Sequence, residues 1–483
     1  MWCIVQVNDV GGKYKILTKN GYRTYSRADG FLNELKRYTT IFTYRQPVQV
    51  IYDLIVKFSK GEDFEGRRIQ AIDEIFPIDA EVNDFIEGLK ILEDECGINV
   101  EKTSLGGFAH QFLKSISDDV KTLKKGYREM AEGAFHSGRV ENLVKVYNAQ
   151  RPGSIVAYDI NGAYPYLLVM ADVPATWGKE VLEAENLSIG DLRRLYGEGW
   201  TGVAYIKAVE YRYIPVLPYR NIQTFYPNGL KEGWYHLPEI FLLDDDDVLE
   251  VSKVLLFRKE KFPGRDHILR LFYFREKYRD RKFSKMFKYI ANSVWGVISM
   301  RNIGNRIVGG YITSLQRARL YNVIRKLDEM GYKVLYYDTD SVIVDTYGEK
   351  EKVDKIIGVE GKVWGGWDVR YEGVNRIEAG GVKQYKLIFE DGSEKLVWKG
   401  IPLVADIKYS DPVSGLIVYD EYIYNEGNRE VELKVLSIPK RNFLSDDFSI
   451  PFDVNEIEDL LISIKEENSN GRKEGFNELQ VRE

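Results

Sequence analysis

The chain has 483 residues, a formal net charge of −6, 44% hydrophobic and 29% charged residues, and two cysteines. That length calls for several subdomains with cores of their own. Cys3 and Cys96 alone exclude a disulfide framework or a cysteine metal site, and no apolar run is long enough to span a bilayer.

Short apolar runs at residues 3–7, 13–17 and 40–44 predict strands, and residues 31–38 and 48–58 predict helices, an α/β pattern. A further amphipathic helix opens at residues 79–84 and runs through Leu89, Ile91 and Leu92, with Asp79 or Asp84 as its cap or first-turn acid. Residues 131–139 form a small-residue turn, in which Gly138 permits close backbone approach and Arg139 would meet a phosphate. Residues 154–159 read as an apolar strand ending in Asp159, with Tyr164 five positions on. Asp244 to Asp247 reads as a solvated acidic loop, and residues 466–483 as a frayed polar tail. Residues 274–288 are basic and helical. Arg275 and Arg279 are four apart and are expected to share a helix face, as are Lys288 and Asn292. Acids within this run are too few to pair with its cations, which favours an anionic partner.

The stretch Tyr336-Tyr337-Asp338-Thr339-Asp340-Ser341 lies between two apolar runs and predicts a hairpin with two carboxylates at its tip. Alone, it reads as well as a plain acidic turn. With Asp159 as a second strand-borne acid, it suits the holding of magnesium, which prefers carboxylate oxygens and substrate phosphates.

In order, these motifs resemble the family B DNA polymerases. Asp159 with Tyr164-Pro165 is similar to the first palm motif. Lys288 to Gly296 matches the fingers motif Lys-x-x-x-Asn-Ser-x-Tyr-Gly, with Trp295 in place of Tyr, and Tyr336 to Ser341 matches Tyr-x-Asp-Thr-Asp-Ser. Lys383-Gln384-Tyr385 and Lys399-Gly400 resemble the Lys-x-Tyr and Lys-Gly that follow. Phe135 to Arg139 resembles the Tyr-x-Gly-Gly turn of the protein-primed branch of phages, archaeal viruses and linear plasmids, with Phe135 for Tyr and Ser137 for the first Gly. About 110 residues separate Pro165 from Arg275, room for that branch's first insertion, whereas the second insertion is absent or reduced to a hairpin around residues 301–306.

The resemblance implies an α/β and α+β multidomain protein, a right-hand polymerase (palm, fingers, thumb) behind an N-terminal RNase H-like exonuclease-type domain. The expected boundaries are a degenerate exonuclease-like domain at 1–105, linker and turn at 106–150, palm with insertion at 151–264, fingers at 265–298, palm at 299–405, thumb at 406–465 and tail at 466–483. Gln6 and Asn8 stand where an opening Asp-x-Glu is expected, so proofreading is taken as lost.

It further implies two magnesium ions, with manganese able to substitute, held by Asp159, Asp338 and the carbonyl of Ile160 and supported by Asp340. Arg275, Arg279 and Lys288 would neutralise the triphosphate, Asn292 would line the base pocket, and Tyr164 would gate the sugar. Phe135, Arg139, Lys383, Tyr385 and Lys399 would contact DNA. The expected partners are primer-template DNA, deoxynucleoside triphosphates and a terminal protein or primase, with no membrane. The N-terminus lacks signal-peptide features, so the expected location is cytoplasmic, the host cell cytoplasm if viral. The rival readings are a polymerase that starts without a primer and a catalytically idle DNA-binding accessory subunit.

Overall fold

The computed structural model describes residues 2–8, 13–18, 21–38, 40–43, 68–71, 82–97, 109, 111, 120, 123–220, 223–301, 304–398, 406–413, 417–426, 429–437 and 439–459. They fall into two compact units, Met1–Leu123 with Leu168–Ala171 and Lys261–Asn305, and Lys124–Leu167 with Asp172–Glu260 and Arg306–Glu483.

In the first unit the N-terminal alternation becomes a five-stranded sheet. Trp2–Asn8 pairs antiparallel with Lys13–Thr18 and parallel with Thr40–Thr43, as β-branched and aromatic residues on a half-buried surface favour. Helix Ala28–Leu35 begins three residues before the predicted stretch. Its Phe31, Leu32 and Leu35 pack on Cys3, Val5, Ile16 and Ile41. The predicted helix at 48–58 and the acid Asp79 lie outside the described residues. Helix Val82–Asp94 forms as its apolar period demands, with Leu89, Ile91 and Leu92 buried. The same unit contains a helical hairpin, Arg265–Lys277 and Ser284–Ile298, closed by the rings of Phe274 and Phe287 at 5.7 Å.

The second unit is built on an eight-stranded sheet. Its strand Ile155–Ile160 lies between Ser341–Asp345 and Trp367–Gly381, and Lys333–Asp338 follows beyond Ser341–Asp345. All these pairings are antiparallel. Both faces are buried, which explains why the strands read as continuous apolar runs. Val156, Tyr158, Val342 and Val344 face one core together with Leu320, Ile324 and Leu327 of the 24-residue helix Arg306–Glu329. Ile155, Ala157, Tyr336 and Ile343 face the other, with Ile377, Tyr385 and Leu387. Residues 299–305 connect helix Ser284–Ile298 to helix Arg306–Glu329.

Between residues 172 and 261 a second sheet is ordered Val181–Glu185, Val248–Lys261, Trp200–Glu210, Gly229–His236. Asp245–Asp247 is a single 3₁₀ turn, and Asp247 and Asp244 both receive Arg212. Strands Asp406–Val413, Ile417–Glu426 and Arg429–Ser437 form a separate sheet, and Arg441–Ser445 pairs with Phe448–Pro451. No helix among the described residues is long and apolar enough to cross a membrane.

Glu210 ends its strand fully buried, accepting Lys231 Nζ at 2.7 Å and the backbone N–H groups of Val216 and Leu217 at 2.7 and 3.0 Å. This charge fixes the loop that follows. Lys231→Met would leave the buried carboxylate with only the more distant Arg212, 3.9 Å away, and a loss of about 3 kcal/mol is expected. The measurement is a lower urea midpoint with an unchanged denaturant slope.

Candidate active site

Antiparallel register sets the geometry of the acids. Asp338 pairs with Ser341, Ser341 with Asp159, and Asp159 with Asp368. Residues directly opposite on antiparallel strands present their side chains to the same face. Asp338, Ser341, Asp159 and Asp368 therefore form one row across four neighbouring strands. Asp338 and Asp159 lie two strand steps apart, about 10 Å between Cα atoms. The row shares the face of Ala157 and Tyr336, opposite the long helix. Nothing in the sequence marks Asp368 as a neighbour of Asp159.

The tip of the hairpin is held tightly. Thr339 has a φ of 58°, a conformation that costs a β-branched residue about 1–3 kcal/mol. Three hydrogen bonds maintain it. Thr339 N donates to the Arg139 carbonyl at 2.7 Å, Gln316 Nε2 donates to the Thr339 carbonyl at 3.1 Å, and Thr339 Oγ1 donates to Asp338 Oδ1 at 2.9 Å. Ile160 N donates to the Asp340 carbonyl at 2.8 Å, joining the tip to the Asp159 strand. Burial, then the charges of Asp159 and Asp338, pushes the Asp340 carboxyl up to about 7.

Two cations reach the row. Lys383 Nζ lies 2.6 Å from Asp338 Oδ1, and an Arg370 guanidinium nitrogen lies 3.9 Å from Asp159 Oδ1. The two aspartates offer hard carboxylate oxygens on one face at one end of the sheet, the donor type a magnesium ion takes. Among the described residues no group of three or more His, Cys, Asp or Glu side chains is disposed to hold a metal ion.

The turn expected to bind DNA has another role at Arg139. This side chain is 1% exposed, its Nε and Nη2 donating to Glu141 at 2.9 and 2.7 Å and its Nη1 to the Pro215 carbonyl at 2.7 Å. It cannot meet a phosphate. Burial alone would push the Glu141 carboxyl up, but Arg139 and Arg441 outweigh it and hold the carboxyl below its usual range. Arg317 completes the support, with Nε and Nη2 on Glu239 at 2.6 and 2.8 Å and Nη1 on the carbonyls of His136 and Ser137 at 2.6 and 2.7 Å. Phe135 is half-buried with the Arg306 guanidinium 4.2 Å from its ring centre. Tyr164 is half-buried in the first turn of helix Ala163–Met170, its phenol pushed up by burial and then by Asp340.

Tyr385 is also turned inward, 8% exposed and 4.9 Å from the ring of Tyr336, so it packs on the Asp338 strand on the face of the acid row. Lys399 lies outside the described residues.

The basic residues of the helical hairpin belong to the first unit and are described within it. Helix Arg265–Lys277 ends before Arg279, so Arg275 and Arg279 do not share a helix face. Arg275 is half-buried and Arg279 pairs with Glu276. Lys288 and Asn292 do lie one helical turn apart in Ser284–Ile298, half-buried and exposed respectively. The acids that looked too few come from helix Val82–Asp94 and the turn after it. Glu95 meets Lys277 and Tyr278, and Arg281 meets Asp84 and Glu87.

Gly138 is where the supporting turn comes closest to the hairpin. A Cβ there would stand 2.6 Å from Thr339 Oγ1 and 3.1 Å from the Tyr164 hydroxyl. Gly138→Ala is expected to cost about 1–3 kcal/mol by overpacking. Gly296→Ala, whose added methyl meets nothing within 4 Å, is the helix-interior control and should not destabilise. Urea denaturation of the two variants checks the contrast.

A family model described as DNA polymerase type B, organellar and viral, matches residues 36–334, more than half of the chain. No curated relative matches by sequence. Among solved structures, the chain is similar to Phi29 DNA polymerase complexed with primer-template DNA, with a TM-score of 0.61 at 12% identity over 91% of this chain and 100% of that one. It is also similar to the ternary complex of Phi29 DNA polymerase with primer-template DNA and incoming nucleotide, with a TM-score of 0.59 at 12% identity over 91% of this chain and 99% of that one. At this identity the likeness is one of fold, a multidomain right-hand polymerase.

Proposed function

The chain belongs to the organellar and viral type B DNA polymerases, and from that premise we propose that it extends a primer 3′-end on a DNA template with Asp159 and Asp338 at the reacting centre. It is a DNA-directed DNA polymerase. The observation that carries the assignment of the centre is the single-face row of Asp338, Ser341 and Asp159 fixed by strand register.

Asp159, Asp338 and the Ile160 carbonyl would hold two magnesium ions, or manganese in their place. When bound, these ions would supply activation of the primer hydroxyl and charge neutralisation on the triphosphate. The chain's own groups do the rest. The hydrogen-bonded tip keeps Asp338 aimed, and Asp340 supports it through the backbone bond to Ile160. Tyr164 would exclude a ribose 2′-hydroxyl, while Arg275, Arg279 and Lys288 would bind the triphosphate and Asn292 would line the base pocket. Lys383 and Lys399 would meet the primer-template backbone, where cations bind regardless of sequence. The strands from Asp406 to Pro451 would serve as the thumb.

The polymerase would lack proofreading. Gln6 and Asn8 occupy the first strand where acids are needed. We further infer a protein-primed type of replication in a virus or mobile element, in the host cytoplasm with a separate terminal protein or primase, a reading that the match to organellar and viral type B polymerases supports as far as the viral setting.

The test is incorporation of labelled deoxynucleotides with magnesium on one template, with and without an annealed primer. Product only with the primer is expected, and Asp338→Ala should lower it by at least about a thousandfold with DNA binding retained. Product on the bare template would make the protein self-starting, and none in either lane would make it an idle DNA-binding subunit. Tyr164→Ala should reduce discrimination against ribonucleotides about ten- to hundredfold in single-nucleotide insertion assays. Unchanged sugar selectivity would remove the gate from that residue.

A further inference from the structure

One strand of the central sheet, Trp367–Gly381, and the turn that follows it set a cation beside each of the paired aspartates. In strand Trp367–Gly381, Val369 pairs with Tyr158 and Tyr371 with Ala157, so Arg370 is the extra residue of a β-bulge. Arg370 stands two residues after Asp368 and so keeps the face of the acid row, while the bulge brings Tyr371 onto the same face beside it. The half-exposed Arg370 guanidinium lies 3.9 Å from Asp159. At the far end of the same strand, Gly381 pairs with Gln384, leaving Val382 and Lys383 as a two-residue turn. Lys383 adopts a φ of 62°, which an unbranched lysine takes only against a conformational cost. Its backbone N–H donates to the Tyr336 hydroxyl at 2.8 Å and its Nζ to Asp338 Oδ1 at 2.6 Å. Both ends of Lys383 are thus fastened to the strand that carries Asp338.

We propose that Lys383 and Arg370 form a two-point cationic latch, one on each aspartate, which holds the carboxylates in the resting site and is displaced when divalent cations enter. The inference rests on the reading that Asp159 and Asp338 hold those ions, and assigns Arg370 as a positioning residue. In the resting site, the latch supplies positive charge beside carboxylates that would otherwise repel one another across the row. Once displaced, both cations stand beside the reacting centre, free to meet the phosphates of the primer strand. Lys383 would then alternate between two anions, a carboxylate at rest and a phosphate in the working complex.

The test uses the full chain without DNA or nucleotide and Mn2+ alone as the probe, with free ion followed by electron paramagnetic resonance. Lys383→Asn removes the charge with a residue that tolerates the left-handed conformation, and Arg370→Gln removes the other. Mn2+ should bind about tenfold tighter to Lys383→Asn and about threefold tighter to Arg370→Gln, whose cation lies farther from its carboxylate. Lys386→Gln is the control for net charge, because Lys386 engages Glu378 and Glu394 instead, and its affinity should match the parent. In the unaltered protein, acylation of Lys383 by an amine-reactive reagent, followed by peptide mass mapping, should accelerate several-fold on adding Mn2+.

Parent affinity in both latch variants, or equal tightening in Lys386→Gln, overturns the latch. Asp338→Asn separates the two readings. If it abolishes Mn2+ binding while the latch variants behave as the parent, only the latch falls. If Asp338→Asn and Asp159→Asn both bind Mn2+ as the parent does, the metal reading falls and the latch with it.

Discussion

Two buried arginines, Arg317 and Arg139, anchor one short turn against the hairpin that carries Asp338. Arg317 satisfies the carbonyls at positions 136 and 137, and Arg139 is fixed by Glu141 so that its own carbonyl faces the Thr339 N–H. Neither guanidinium touches solvent to any useful extent, so their charges must be balanced internally by Glu239 and Glu141. Pairs of this kind add little net stability, because desolvation consumes most of the attraction, but an orphaned partner is costly. Their physical effect is to leave the turn a single low-energy position. The strained Thr339 backbone can persist only behind such a rigid support.

This explains which parts of the site could be read from the residues. The Asp338 hairpin and the Asp159 strand are legible, because their apolar runs are short, rich in Val, Ile and Tyr, and end at an acid, as strands that surface at one end do. Their juxtaposition needs just the pairing of Ser341 with both. The helices Val82–Asp94 and Ser284–Ile298 are legible for the same reason, a strong apolar period.

What was illegible depends on contacts between distant segments. A Gly-Arg pair in a small-residue turn looks the same whether the cation faces a phosphate or a buried acid. For Arg139 the decision comes from Glu141 and from the carbonyl of Pro215, 76 positions away. The cations of residues 275–281 looked unpaired because their acids lie 182 and 194 positions earlier, at Glu95 and Glu87. Arg370 had no signal at all, since a bulge is a property of the pairing and not of the residue. Arg279 missed its helix face because Tyr278 caps the helix first.

The ion pair between Arg441 and Glu141 joins residues 300 positions apart, both fully buried. During synthesis at about 5–20 residues per second, roughly 15–60 s pass between the emergence of the acid and that of its second cation. Through that interval the nascent chain holds Glu141 with half of its compensating charge, and the hairpin Arg441–Ser445 with Phe448–Pro451 has yet to dock its Ser449 hydroxyl on the Leu143 carbonyl. The turn beside Asp338, at the middle of the chain, is therefore finished by the last of the described strands, so a chain cut short before them carries every motif but leaves Glu141 without its second cation.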